Sequence, residues 1–265
     1  MTPDPVIVEQ GDGPVILGLP HVGTWLPDDI AALLNDRGRL LADTDWHIER
    51  LYAGLLPGAT TVRATFHRYA IDANRGPDNE SLYPGQNTTG LVPLTDFDGR
   101  PIWIREPDPQ EIADRTARFH APYHAALSAE NARVRARHGV AILYDCHSIR
   151  SRIPFLFDGT LPDFNIGTAG GTTCDPRIQS AVETICRATG RTMAVNGRFK
   201  GGWTTRHYGR PADNVHAIQM ELAQSSHLAT EAPPFAFDPV KAAPLRDTLK
   251  HILATLADLA PDLKG

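Results

Sequence analysis

Cysteine is scarce: the 265 residues hold three, Cys146, Cys174 and Cys186, with no Cys-x-x-Cys pair among them. An odd, widely spaced set excludes a disulfide framework and a thiolate zinc knuckle, and it fits a reducing compartment. Any metal must then be held by histidine and carboxylate. Long apolar runs are also missing: the cleanest, Val140 to Tyr144, is far short of the roughly 20 residues a spanning helix needs. Residues 1–10 lack the basic start and apolar centre of a secretory signal, so a cytoplasmic address is expected. There is no basic run, and the net charge is −5, which disfavours a nucleic-acid backbone reader and a polybasic membrane binder. A small anionic substrate stays open if arginines gather locally.

What is present is the makeup of one globular domain over residues 1–265, with 42% hydrophobic and 22% charged residues. Glycine and proline, 22 of each, are concentrated enough to demand many structured loops without approaching a disordered composition. The most irregular stretch, Asn74 to Pro109, reads as one long ordered loop that walls a pocket.

Around that loop, short apolar segments alternate with segments of helical period. Strands are expected at 14–19, 60–66, 140–144, 155–157, 164–167, 193–195 and 215–222. Helices are expected at 28–41, 45–56, 110–138, 176–188 and 239–259. Thr44 is placed as an N-cap, Pro122 as a kink and Gly139 as a stop. The alternation implies an α/β fold, a three-layer sandwich with a mainly parallel sheet covered on both faces.

In such sheets, sites lie beyond the carboxyl ends of strands, and three ends carry polar residues. They are His21, the group Asp145, His147 and Ser148, and Glu221. Two histidines on separate strands plus a carboxylate make a ligand set for zinc with an open position. Asp43, Asp45, Glu49 and Asp145 are candidate carboxylates, and His47 could replace them. Taken singly, His21 is an ordinary hydrogen-bonder and Asp45 an ordinary first-turn charge of its helix. Asp145, two residues before His147 on an alternating backbone, suits a partner that orients the imidazole. Glu221 ends an apolar run, so it is either paired or functional; beside a metal and water it would act as general base.

Arg75 follows Asn74 in one loop and Arg206 lies in another, and guanidinium forks suit carboxylates, although a solvated surface charge is the ordinary reading of either. His120 and His124 share a helix face without the Glu of His-Glu-x-x-His, so packing beside Tyr123 is the better reading. Lys200-Gly-Gly lacks the rest of a phosphate loop. Ser148 has no Gly-x-Ser-x-Gly elbow and fits a hydrogen-bonding role, and Cys146 reads as an inert thiol.

Six strings in order, PHVGTWLP (20–27), DTDWHIERLY (43–52), DANR (72–75), DCHSIRS (145–151), FKGGWTTRHYGRP (199–211) and HAIQMELAQS (216–225), resemble the N-formylglutamate amidohydrolase family. The resemblance spans nearly the whole chain. It implies a mixed, mainly parallel sheet in a zinc-carboxypeptidase-like (phosphorylase/hydrolase-like) sandwich, akin to aspartoacylases. It also implies metal-dependent hydrolysis of N-formyl-L-glutamate to formate and L-glutamate in histidine degradation. His21 and His147 match the metal histidines. The related peptidases carry a Glu three residues after the first, where this chain has Thr24; Asp45 is taken instead, with His47 the alternative. Asn74, Arg75, Ser148 and Arg206 are then substrate-binding, and Glu221 is catalytic. Zinc is the implied metal, with cobalt, manganese or iron also suited to such donors. The implied partner is a small dicarboxylate, with no nucleic acid and no membrane. Another N-acyl amino acid or peptide is the nearest alternative substrate, and a metal-free binding protein for acidic amino acids is the alternative of another class. The shared requirement is spatial: the rings of His21 and His147 must lie within about 8 Å to reach one ion by bonds of roughly 2 Å.

Overall fold

A computed structural model describes residues 3–81 and 85–264. Its centre is a seven-stranded sheet in the order β1-β3-β2-β4-β7-β5-β6. The strands are β1 (Val6–Glu9), β2 (Val15–Leu19), β3 (Thr60–Ala64), β4 (Ala141–Ile149), β5 (Phe164–Gly167), β6 (Met193–Val195) and β7 (Val215–Ala223). The pairs β3-β2, β2-β4, β4-β7 and β5-β6 run parallel, whereas β1-β3 and β5-β7 are antiparallel. The sheet is therefore mixed and mainly parallel, as the alternating pattern implies.

The helices are α1 (Asp28–Ala31), α2 (Ile48–Tyr52), α3 (Pro109–Arg115), α4 (Ala121–His138), α5 (Pro176–Ala188), α6 (Trp203–Tyr208) and α7 (Pro239–Leu259). Alternation along each strand sorts the core into two layers. Val15, Leu17, Ile142, Tyr144, Ile218 and Met220 face α2, α5 and α7. Ile16, Val62, Ala141, Leu143 and Ala217 face Phe119, Tyr123, Leu127 and Val134 along α4 and the turn before it. Among the described residues, no helix is long and apolar enough to cross a membrane.

Several expected elements change where side chains compete for the backbone. The helix expected at 28–41 is only α1 followed by a 3₁₀ turn, Gly38–Leu40. Between them Asn35 accepts from Gly38 N–H at 3.0 Å and donates to the Pro101 carbonyl at 3.0 Å, tying the segment to another loop. The helix expected from Asp45 begins only at Ile48, because His47 is left-handed at φ 62°. Thr44 caps nothing, since its hydroxyl donates to the Leu41 carbonyl at 2.7 Å. β4 does not stop at Tyr144; its pairing with β7 continues to Ile149 opposite Ala223, carrying Asp145, His147 and Ser148 within the ladder. The apolar pattern ends there, but the backbone pairing does not.

The strand expected at 155–157 is absent: a turn occupies 154–156, with the N–H groups of Leu156 and Phe157 donating to the Ile153 carbonyl at 2.8 and 3.0 Å. The long helical signal is interrupted by one π-helical stretch, Thr116–His120, directly before Pro122, which supplies no N–H to the ladder. Gly139 closes α4 at φ 75°, as a left-handed stop requires. β1 and α6 are elements the sequence pattern did not announce. The described part of 74–109 contains turns and isolated bridges up to the start of α3; residues 82–84 of this expected loop lie outside the described residues.

Where β2 ends, the chain passes hard against the end of β3. A Cβ on Gly23 would lie 2.3 Å from the carbonyl carbon and oxygen of Thr65, backbone that cannot rotate away. Gly23→Ala should therefore destabilise the fold by about 1–3 kcal/mol, read as a lower urea midpoint at unchanged slope. An unshifted midpoint would refute the close approach.

Candidate metal centre

The polar residues gather because of strand parity. Asp145 and His147 continue the β4 face of Ala141 and Leu143, and Gln219 and Glu221 continue the β7 face of Ala217. Parallel register sets His147 beside Glu221. His21 lies just beyond β2, the other neighbour of β4. Asp45 comes from the loop before α2, where its N–H donates to the His21 carbonyl at 3.0 Å.

The result is a buried group, His21, Asp45 and His147, whose candidate ligand atoms lie within 4.8 Å of one another. The two rings are 5.0 Å apart between centroids, inside the limit set by a shared ion. His147 Nδ1 is 3.3 Å and His21 Nδ1 3.8 Å from the same oxygen, Asp45 Oδ2. His21 Nδ1 is buried and has no hydrogen-bond partner among the described residues. A buried, unpartnered nitrogen turned toward a carboxylate and a second imidazole is the donor arrangement a divalent cation satisfies.

The far nitrogens are occupied. His21 Nε2 lies 2.7 Å from Asp72 Oδ1, and His147 Nε2 lies 3.1 Å from Asp145 Oδ2. The Asp72 carboxylate accepts the His21 Nε2 proton, which leaves His21 Nδ1 as the lone-pair nitrogen on the side of Asp45. His147 Nε2 has the Asp145 carboxylate as its ionic neighbour and meets the Asn74 amide at 3.2 Å. Asp145 thus stands where its alternation with His147 places it. Asp72 is a residue the sequence reading quoted without a role. Its Oδ1 also takes the Asn74 N–H at 2.8 Å, and its Oδ2 takes Arg68 Nη2 at 2.5 Å.

Charge is balanced closely. Burial pulls His21 below the ordinary imidazole range, with Arg68 adding to it. Burial acts the same way on His147, but Asp145, Asp45 and Glu221 outweigh it and raise its pKa well above that range. Burial pushes Glu221 up to about 8; His147 and Arg68 oppose this, and Asp45 and Asp145 add to it. Gln219 Nε2 donates to Glu221 Oε2 at 3.1 Å.

The other candidate ligands are elsewhere. His47 Nε2 sits 2.9 Å from the Phe235 carbonyl. Asp43 accepts from Tyr69 Oη at 2.8 Å and from Phe97 N–H at 2.9 Å. Glu49 lines a separate hollow with Tyr52 and Arg63. Cys146 points to the opposite face of β4, into the α2/α5/α7 layer, and burial raises its thiol pKa far above the ordinary range.

A cleft opens onto the group, with about 590 Å³ of empty space, its solvent-open mouth included. His21, His147, Glu221, Asn74, Arg75 and Ser148 line it. Arg206 does not: its Nε donates to the Gly201 carbonyl at 3.0 Å. The guanidinium groups at the cleft are Arg68, Arg75 and Arg198. Arg68 was hidden from the sequence reading because its only signal is a four-residue step to Asp72, which any surface ion pair shares. Ser148 N–H donates to Asp45 Oδ2 at 3.2 Å and its hydroxyl accepts from Gln224 at 3.3 Å. Asn87, Thr88, Thr89 and Phe97, all from the 74–109 loop, form part of the wall. Phe97, Ile149, Leu156 and Phe199 give it an apolar side.

Comparison with known proteins follows the same outline. The family model for N-formylglutamate amidohydrolase matches residues 13–228. An N-formylglutamate deformylase of Pseudomonas aeruginosa is 45% identical over 254 residues, covering 94% of each chain. One of Pseudomonas putida is 44% identical over 251 residues, covering 93% of each. The crystal structure of N-formylglutamate amidohydrolase from Ralstonia eutropha aligns with a TM-score of 0.83 at 27% identity, over 97% of this chain and 98% of that one.

The partners of the two imidazoles make a prediction of their own. Asp72→Asn and Asp145→Asn keep side-chain shape but lose the carboxylate acceptor, and each should weaken binding of a divalent transition ion by about 10–100-fold. Competition against a coloured chelator reads the affinity, and an unchanged value in both variants would remove the orienting role.

Proposed function

The chain belongs to the N-formylglutamate amidohydrolase family, and from that premise we propose that it hydrolyses N-formyl-L-glutamate to formate and L-glutamate with a divalent metal, zinc in the first place, held by His21, Asp45 and His147. The observation that carries the metal is the convergence of both Nδ1 atoms on Asp45 Oδ2. When bound, such an ion supplies Lewis acidity toward the scissile carbonyl and acidifies water at its open position.

The chain's own groups do the rest. Glu221, one strand over from His147, takes the proton of the attacking water and returns it to the departing amine of glutamate. Arg68, at the cleft and 4.0 Å from Asp45, faces the negative charge that develops on the former carbonyl oxygen. Asn74, Arg75 and Arg198 hold the substrate's two carboxylates, Arg198 taking the place assigned to Arg206 from the sequence. Ser148 steadies Asp45 through its N–H. The place of this step in histidine degradation, and a cytoplasmic setting, are parts of the same proposal. The apolar side formed by Phe97, Ile149, Leu156 and Phe199 favours one second reading, hydrolysis of a longer N-acyl amino acid; kcat/KM for formyl, acetyl and longer acyl glutamates separates the two.

Activity toward N-formyl-L-glutamate should vanish on chelation and return with added zinc. Glu221→Gln should retain the metal and lose about 10²–10⁴-fold in kcat; a variant as fast as the parent would remove Glu221 from the mechanism.

The pH profile follows from the same carboxyl group. Glu221 works as a base only when ionised, and burial raises its pKa to about 8. A bound cation draws that value down, so kcat/KM should climb with pH along a limb lying below about 8. A profile that falls with pH between 5 and 8 would contradict this.

A further inference from the structure

His120 and His124 lie outside the metal group, yet both reach the loop that carries Asn74 and Arg75. His120 Nε2 is 2.9 Å from the Arg75 carbonyl, and His124 Nε2 is 2.8 Å from the Ala73 carbonyl. A carbonyl only accepts, so each ring carries its proton on Nε2 and donates. The two acceptors flank Asn74. His124 Nδ1 in turn lies 3.1 Å from Tyr208 Oη on α6. Burial keeps both rings from charging: it lowers His120 and takes His124 down to about 3, with His120 adding to the latter shift.

The turn is held from its other side as well. Thr204 N–H donates to Asn74 Oδ1 at 2.9 Å, and Trp203 packs against His124 at 4.7 Å between ring centroids. A Cβ on Gly202 would lie 2.2 Å from Asn74 Nδ2, and one on Gly76 would lie 2.8 Å from Trp203 Nε1. The turn is therefore gripped without slack, and Asn74 Nδ2 comes to rest 3.2 Å from His147 Nε2. The π-helical stretch Thr116–His120 ends on the first of the two histidines.

We propose that His120 and His124 are positioning residues for substrate binding: their Nε2–H groups fix the carbonyls on either side of Asn74, so that Asn74 and Arg75 meet the substrate carboxylate preorganised. This rests on reading Asn74 and Arg75 as substrate holders. Neither histidine touches the substrate or the metal group, so the effect belongs to binding and leaves the chemical step alone.

The experiment compares His120→Leu and His124→Leu, which keep bulk and lose the donor, with His120→Gln and His124→Gln, whose amide nitrogen can stand where Nε2 stands. Each leucine variant should raise KM for N-formyl-L-glutamate about tenfold, the worth of one such hydrogen bond, with kcat within about threefold of the parent and metal content unchanged. Each glutamine variant should return KM to within about threefold. In the parent, ¹⁵N-edited NMR at pH 7 should show both rings neutral and protonated on Nε2. The proposal is overturned by an unchanged KM in the leucine variants, by a loss confined to kcat, by glutamine variants as poor as leucine, or by rings protonated on Nδ1. Should the leucine variants not fold, the glutamine variants and the spectrum decide. Arg75→Leu serves as the separate control: if its KM equals the parent's, the reading of Arg75 itself fails, whatever the histidines do.

Discussion

Asp45, Asp72, Asp145 and Glu221 place carboxyl groups around two imidazoles and the Arg68 guanidinium at the buried end of the sheet. Ionised groups leave water at a cost of several kcal/mol each unless their neighbours compensate. Both Nδ1 atoms face one oxygen, Asp45 Oδ2, so the three side chains form a pocket of donors whose charge suits a divalent cation. Strand order serves this arrangement: β2, β4 and β7 are adjacent, so that His21 just beyond β2, His147 on β4 and Glu221 on β7 come side by side.

From that arrangement the outer parts take their roles. Loop 74–109 and the segment before α6 wall the cleft beside the candidate metal group and supply Arg75, Arg198, Phe97 and Phe199 to it. Arg37 pairs with Asp96 and Asp98, and Arg150 reaches Asp98 at 3.0 Å, so the loop is fixed by ion pairs where it has little regular structure. Ordered irregular backbone of this kind needs such partners, because it forms few ladder hydrogen bonds of its own.

How much of this could be read in the residues depends on range. Strands β2, β5, β6 and β7 and helices α5 and α7 carry their own periodicity and punctuation, and they lie where that pattern puts them. His21 and His147 stood out by residue type at strand ends and Asp45 by its place opening a helix and by family resemblance, and the three meet in one buried group. Features set by distant partners were not recognisable. The first turn of the helix expected at 45–56 is absent because His47 is left-handed, its Nε2 tied to the distant Phe235 carbonyl, and Arg206 is diverted to the Gly201 carbonyl. Arg68 and Asp72 sit four apart like countless surface pairs, and only burial beside His21 distinguishes them. His120 and His124 looked like packing residues because the carbonyls they hold belong to a loop more than forty positions away.

Each side chain of the candidate metal group hangs from a different piece of the architecture: the tip of one strand, a connecting loop, the tip of the neighbouring strand. An unfolded chain has no such site, so occupancy and foldedness are thermodynamically linked, and an ion at a thousand times its dissociation constant adds about 4 kcal/mol to the native state. With the metal proposed above, the vacant protein is thus also the less stable one, the one that proteases find open.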